Sequence, residues 1–233
     1  MKCYLNLRYT VPERRANFEA GLTRLGYTVH HGLPASPDGL LVTWNRVGHA
    51  DYVARQYEAA GLPVIVAENG FLDGCYTLAR NRHNTAGMFP VGGPERWDGQ
   101  GIQLAPLRTE GETVILPQRG IGSPPTAMPR DWPQVAQARH GGRIRPHPGR
   151  GICKPLQDDL AQSGLVVTWG SAAALWALRW GIPVHSEMPG WIGEQDNTES
   201  GRLAMFRRLA WANWRHSEIA SGEAFAWLLA SPV

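Results

Sequence analysis

The apolar positions of the chain follow two rhythms that alternate along its length. Cys3–Tyr9 alternates with the period of two expected of a strand, and Phe18, Leu22 and Leu25 then recur on one helical face until Gly26 stops the run. Pro12 suits a first helical turn, and Thr10 and Glu13 stand at capping-box spacing. Tyr27–His31 reads as a short strand, Pro34–Gly39 as a turn and Leu40–Trp44 as a nearly continuous apolar strand. A helix over Asp51–Ala60 ends at Gly61, and Pro63–Ala67 has the unbroken apolar character of a strand buried on both faces. The opening of the chain is therefore β-α-β-β-α-β, the start of a Rossmann-like half.

Gly87–Gly101 is rich in Gly and Pro and reads as a long loop, with Gln103–Thr109 as a last strand of the first half. A Glu-Gly-Glu break at Glu110–Glu112 precedes a fresh apolar strand, Thr113–Pro117, and there the plan starts again. The second half runs through a helix at Pro133–Arg139, a strand at Arg143–Arg145 and a helix at Pro155–Gln162. Leu165–Ser171 is then a strand and a Gly-Ser turn, followed by an Ala/Leu/Trp helix, the stop at Gly181 and a strand through His185. Amphipathic helices at Leu203–Trp214 and Glu223–Leu229 close the chain. The predicted class is α/β: two Rossmann-like halves, 1–111 and 112–233, the second carrying the closing helices.

Composition changes this picture little. A chain of 233 residues is long enough for two small cores, and a net charge of +3 admits an anionic partner without requiring one. Three scattered cysteines (Cys3, Cys75, Cys153) offer neither a disulfide framework nor metal spacing, so the expected setting is a reducing cytoplasm. No apolar run reaches membrane-spanning length, and no membrane partner is expected. Most of the ten tryptophans lie from Trp169 onward and read as packing residues, with one or two left to stack on a base or sugar.

Candidate chemistry collects at the ends of the predicted strands, where open α/β sheets bind ligands. In the first half these ends deliver Trp44, Asn45 and Arg46, then Glu68, Asn69, Gly70 and Phe71. In the second half they deliver Arg119, then Arg145 and His147 set between prolines, then Trp169, Gly170 and Ser171, then Glu187. Arginine presents a planar fork suited to phosphate. Ser171 opens a helix, whose free N–H groups favour an anion, although a serine there is also an ordinary cap.

Four short motifs carry a family resemblance. Glu68-Asn69-Gly70-Phe71 is similar to the Glu-Asp-Gly-Phe motif of the bacterial capsule-type β-Kdo transferases, and Arg145-Pro146-His147-Pro148 to their basic-Pro-His-Pro motif. Trp169-Gly170-Ser171 with Gly181-Ile182-Pro183-Val184 resembles a third block, and Pro189-Gly190-Trp191-Ile192-Gly193 resembles their Gly-Trp-Gly turn. The matches run in order over Val64–Gly193. Two positions depart from the pattern: the acidic residue of the first motif is Asn69, and the glutamate that many such enzymes place on the nucleotide ribose is Trp176.

The resemblance implies a GT-B glycosyltransferase with a nucleotide-sugar donor, UDP- or CMP-linked, and no further cofactor. The donor would be held by Arg119, Arg145, His147, Trp169, Gly170, Ser171 and Glu187, and the acceptor by Trp44, Asn45, Arg46 and Asn69. A general base on the first half is needed to deprotonate the acceptor hydroxyl, and the candidates are Glu68, then Asp73, with Asp51 as a third. No metal is expected, because no His/Cys cluster has ligand spacing along the sequence. For the acceptor, the arginines Arg46, Arg80, Arg82 and Arg130 point to DNA bearing a hydroxymethylated pyrimidine, as in phage-type DNA modification. The alternatives are a saccharide acceptor, as in the capsule enzymes, or an inactive nucleotide- or nucleic-acid-binding module.

Overall fold

The computed structural model describes residues 1–7, 11–72, 74–82, 87–122, 124–149 and 154–230. The chain forms two compact units, one of 1–93 with 210–233 and the other of 94–209. Each has its own sheet.

In the first unit, β1 (Lys2–Asn6) leads into α1 (Pro12–Arg24), β2 (Thr28–His31), β3 (Leu40–Trp44), α2 (His49–Ala59), β4 (Val64–Asn69) and β5 (Cys75–Arg80). In the second, α3 (Glu95–Asp98) is followed by β6 (Glu112–Leu116), α4 (Trp132–His140), β7 (Arg143–Ile144), α5 (Leu156–Asp159), β8 (Ser163–Thr168), α6 (Ala173–Arg179), β9 (Val184–Ser186) and α7 (Glu199–Ala210). The chain then returns to the first unit as β10 (Asn213–Arg215), α8 (His216–Ser221) and α9 (Glu223–Ala230).

The first sheet has the order β10-β5-β4-β3-β1-β2. Its four strands from β2 to β4 are mutually parallel, and β5 and β10 add antiparallel at one edge. The period of two sorts its residues between two layers. Cys3, Leu5, Leu40, Val42, Ile65 and Ala67 face Phe18 and Leu22 of α1 together with Ile219, Phe225 and Leu228 of α8 and α9. Leu41, Val64 and Val66 face Val53, Ala54 and Tyr57 of α2. The closing helices thus complete the core of the first unit, where the sequence had them attached to the second half.

One reason is steric. Gly21 of α1 passes so close to α8 that a Cβ there would stand 1.9 Å from the Ile219 carbonyl oxygen. Arg24 donates to the Ala220 carbonyl from the same face (2.9 Å). The expected helix over Leu203–Trp214 accordingly breaks after Ala210, and Asn213 and Trp214 join the sheet opposite Thr77 and Tyr76. The N-cap of α1 is Val11, which has no side-chain cap; Thr10, read as its capping residue, lies outside the described residues.

The second sheet has the order β7-β6-β8-β9 and is wholly parallel. Ile115 and Val167 pack beneath Trp132 and Ala136 of α4. Gln103–Thr109, expected as a strand of the first half, forms no strand and belongs to the second unit. Its backbone ties to Arg179 and Gly181 (Ala105 N–H to Arg179 O, 3.0 Å; Arg108 N–H to Gly181 O, 2.8 Å), and the Arg108 guanidinium bonds the carbonyls of Leu160, Ala161 and Ser163. Arg202 of α7, 1 % exposed, anchors to the carbonyls of Ala105 and Leu178. Among the described residues, no helix is long and apolar enough to cross a membrane.

Candidate functional site

The second sheet gathers the predicted donor residues at one edge. All four strands run the same way, so their carboxyl ends deliver Arg119 (after β6), Arg145 and His147 (after β7), Trp169, Gly170 and Ser171 (after β8) and Glu187 (after β9). The chain goes from β6 outward to β7 and then back across to β8, which makes the β6–β8 pair the point where the connections change direction. That is where open parallel sheets leave a crevice.

Three basic groups meet at this edge. Partial burial, then the charges of Arg119 and Arg145, push the His147 pKa below its ordinary value. His147 Nδ1 accepts the Gly149 N–H (3.0 Å), which leaves Nε2 as the donor of the neutral ring. Arg119 is exposed. Arg145 is 8 % exposed and already held, its Nε 2.5 Å from Asp159 Oδ2 and its Nη2 3.0 Å from the Lys154 carbonyl. Arg145 therefore contributes positive potential, and its guanidinium is not the open phosphate fork that the sequence led us to expect.

The turn after β8 differs from its expected role in a similar way. The Ser171 N–H donates to Thr168 Oγ1 (3.0 Å), and Ser171 Oγ accepts the Ala173 N–H (3.2 Å). These donors serve the turn itself, the N-cap of the two-turn α6 is Ala172 and not Ser171, and the predicted phosphate cradle is taken up by the turn's own hydrogen bonds. A Cβ at Gly170 would stand 2.8 Å from Met188 Sδ, so a larger residue there would require the Met188 side chain to shift. Trp169 Nε1 donates to the Pro125 carbonyl (3.0 Å), and its ring meets Trp132 edge-on. Trp176 packs beside Trp180 and under the Arg179 guanidinium.

Glu187 is heavily engaged. Its Oε2 accepts from Trp132 Nε1, and its Oε1 from Arg139 Nη1 and His140 Nε2, each at 2.9 Å. Although burial opposes it, this set of donors holds the carboxyl below its usual pKa. His185, two residues before it on β9, completes a group in which one ligand atom each of His140, His185 and Glu187 lie within 4.8 Å of one another. Linear spacing concealed this group, because its members come from the end of α4 and from β9. Only the His-x-Glu pair on a strand, which faces one way, was visible in sequence.

In the first unit the acceptor candidates divide. Trp44 is 7 % exposed, edge-on to Tyr76 and covered by the Arg14 guanidinium, so it is a core residue and not a stacking platform. Arg46, 8 % exposed, is closed by Asp51 (2.8 Å) and by both carboxylate oxygens of Glu58 (2.5 and 2.7 Å), so it is not offered to an anionic acceptor. Asn45 adopts a positive φ of 63° and has a buried Oδ1 without a hydrogen-bond partner. Glu68 is half-buried on β4 opposite Thr77, and Asn69 is exposed. Asn6, Thr43 and Glu68 share the α2-facing side of the sheet, and Asn6 Nδ2 donates to Thr43 Oγ1 (3.0 Å). Asp73, the second candidate base, lies outside the described residues.

No protein-family model matches the chain, and no curated protein matches it in sequence. Its fold does match solved structures. A β-Kdo 2,4 transferase, KpsC from Thermosulfurimonas dismutans, superposes with a TM-score of 0.52 at 15 % identity, covering 88 % of this chain and 89 % of that one. At this identity the likeness is one of fold. It supports a Rossmann-like, glycosyltransferase-type architecture with two parallel-rich sheets. Aspartate transcarbamoylase from Trypanosoma cruzi aligns over 90 % of this chain and 81 % of its own at 16 % identity, but its TM-score of 0.28 is too low to indicate a shared fold.

Proposed function

We propose that this protein is a glycosyltransferase that moves a sugar from a nucleotide-activated donor to a saccharide acceptor. The observation that carries this reading is the fold shared with a β-Kdo transferase over nearly the full length of both chains. The carboxyl edge of the second sheet would take the donor. There Arg119 and His147, in the positive field of Arg145, would meet the diphosphate or monophosphate. Charge developing on the leaving phosphate would be met by these groups. Glu68, at the carboxyl end of β4, would serve as general base toward the acceptor hydroxyl.

A saccharide is favoured over DNA because Arg46, the most deeply placed arginine of the proposed polyanion contacts, is already neutralised by Asp51 and Glu58. The test is a thermal-shift screen with UDP, CMP, GDP and dTDP and their common sugar conjugates, on the wild type and His147→Ala. A ligand at a hundred times its dissociation constant adds about 2.7 kcal/mol of stability. One nucleotide should stabilise the wild type much more than the variant, and its sugar conjugate should slowly release free nucleotide. If no nucleotide stabilises the protein, the donor site is refuted. Binding without any release or transfer would leave an inactive nucleotide-binding module.

A further inference from the structure

We propose that His140, His185 and Glu187 form a binding site for a divalent transition-metal cation of the zinc type, at the carboxyl end of β9. This inference is independent of the transferase reading.

The site is assembled by ordinary secondary structure. His185 and Glu187 are two residues apart at the end of β9 and project to the same side. Val167 is paired with His185 across the ladder and packs under α4, so this is the face α4 covers. His140 is the last residue of α4 and arrives over the same spot. One ligand atom from each lies within 4.8 Å of the others. Ligands about 2.1 Å from a tetrahedral ion stand roughly 3.4 Å apart. The His140 Nε2 to Glu187 Oε1 separation of 2.9 Å needs only a few tenths of an ångström of opening. His185 is exposed and can rotate inward without disturbing a core.

Two imidazoles and one carboxylate are a ligand set that suits zinc and its neighbours, with a fourth position left for water or a substrate oxygen. The carboxylate is also oriented as metal-bound carboxylates are. Trp132, 3 % exposed, donates Nε1 to Oε2 at 2.9 Å and leaves Oε1 for the ion. Among the described residues, the cation that competes for Glu187 is Arg139, whose Nη1 also approaches Oε1 at 2.9 Å, but its side chain is 59 % exposed and can swing away into water. A compact ion that binds two imidazoles at once holds the position better than a single solvated guanidinium.

The experiment is isothermal titration of the metal-free protein with Zn²⁺, checked by competition with a chromophoric chelator. The wild type should take up one ion per chain. His185→Ala, at an exposed position outside any core, and His140→Ala should each weaken that event at least tenfold. Trp132→Phe keeps the ring in the core and removes the second-sphere donor, so it should weaken binding about tenfold or more. Arg139→Gln should bind as well as the wild type or better. Failure of the wild type to bind Zn²⁺ would overturn the proposal. So would undiminished binding by His185→Ala and His140→Ala, which would place the ion elsewhere on the chain.

Discussion

The guanidinium carbon of Arg14 stands 3.6 Å from the Trp44 ring centroid and 4.9 Å from that of Tyr76. Arg14 is 9 % exposed, and its Nε is buried with no hydrogen-bond partner, so aromatic faces are what offset the burial of its charge. Its cation–π contribution of about 2 kcal/mol is set against the cost of a desolvated donor. Arg14→Met should therefore cost no more than about 2 kcal/mol, whereas Trp44→Ala, which empties a core site, should cost about 3–5 kcal/mol. Urea unfolding of the two variants checks the order, and an Arg14→Met loss equal to that of Trp44→Ala would contradict it.

Gly21 sets propensity against sterics. Alanine is the better helix former by about 1 kcal/mol in a helix interior. Here the added methyl would meet the Ile219 carbonyl oxygen at 1.9 Å, and a backbone atom cannot step aside as a side-chain tip can. Gly21→Ala should thus lose about 1–3 kcal/mol net, the cost of overpacking. A thermal melt showing stabilisation would mean that α1 and α8 are not held this closely.

Arg46 should behave as a structural arginine. Removing it takes the cation from Glu58 and leaves Asp51 with only the exposed Arg55. Breaking a buried pair costs about 3–5 kcal/mol. Because Glu58 keeps 31 % of its side-chain surface open to water, the loss for Arg46→Ala should fall at or below the low end of that range. Arg46→Lys, which cannot match both carboxylate oxygens of Glu58, should recover only part of it. Neither change should alter the salt dependence of any binding to duplex DNA, as measured by fluorescence anisotropy.

His147 would give the proposed donor site a pH dependence with a definite sign. Burial and the two arginines lower its pKa, so the free protein holds the ring neutral above the ordinary histidine value and through part of the range below it. A bound phosphate would offset Arg119 and Arg145 and raise that pKa again. Binding should therefore take up a proton, and nucleotide affinity should rise as pH falls below about 6.5. His147→Ala should flatten that rise, and titrations at pH 7.5 and 5.5 provide the check. For stability alone the sign is reversed. The neutral ring's contribution is complete above the unfolded value near 6.5 and declines as pH falls through the lowered folded value.

Much of the parallel framework could be read from the chain, because a strand buried on both faces leaves an unbroken apolar run. Leu40–Trp44, Val64–Ala67 and Leu165–Thr168 are all of this kind, and all are strands. The antiparallel edge could not be read. Cys75–Arg80 carries no such run, and Asn213–Arg215 is three residues that pair only because Thr77 and Tyr76 stand opposite. The loops after β3, β4, β6, β8 and β9 were legible as strand ends, whereas Gln103–Thr109 forms no strand and the state of the side chains at these ends was hidden. Arg46, Arg145 and Ser171 are each taken up by partners whose positions depend on tertiary structure. His140 and Glu187 meet from 47 residues apart, a distance that no spacing rule spans.

The chain leaves the first unit at Gly93 and returns to it at Ala210, so the second unit is an insertion within the first. This fixes an order of events on the ribosome. Residues 94–209 are all synthesised before β10, α8 and α9 exist, so the inserted unit can close while its host still lacks an edge strand and the helices that cover Phe18 and Leu22. Until then that face of the first sheet is covered by α1 without α8 and α9, and a chain halted near Leu209 would present a folded insert on an unfinished host. In such nascent chains the insert should resist protease first, and resistance of the host should follow only after Phe225 and Leu228 have emerged.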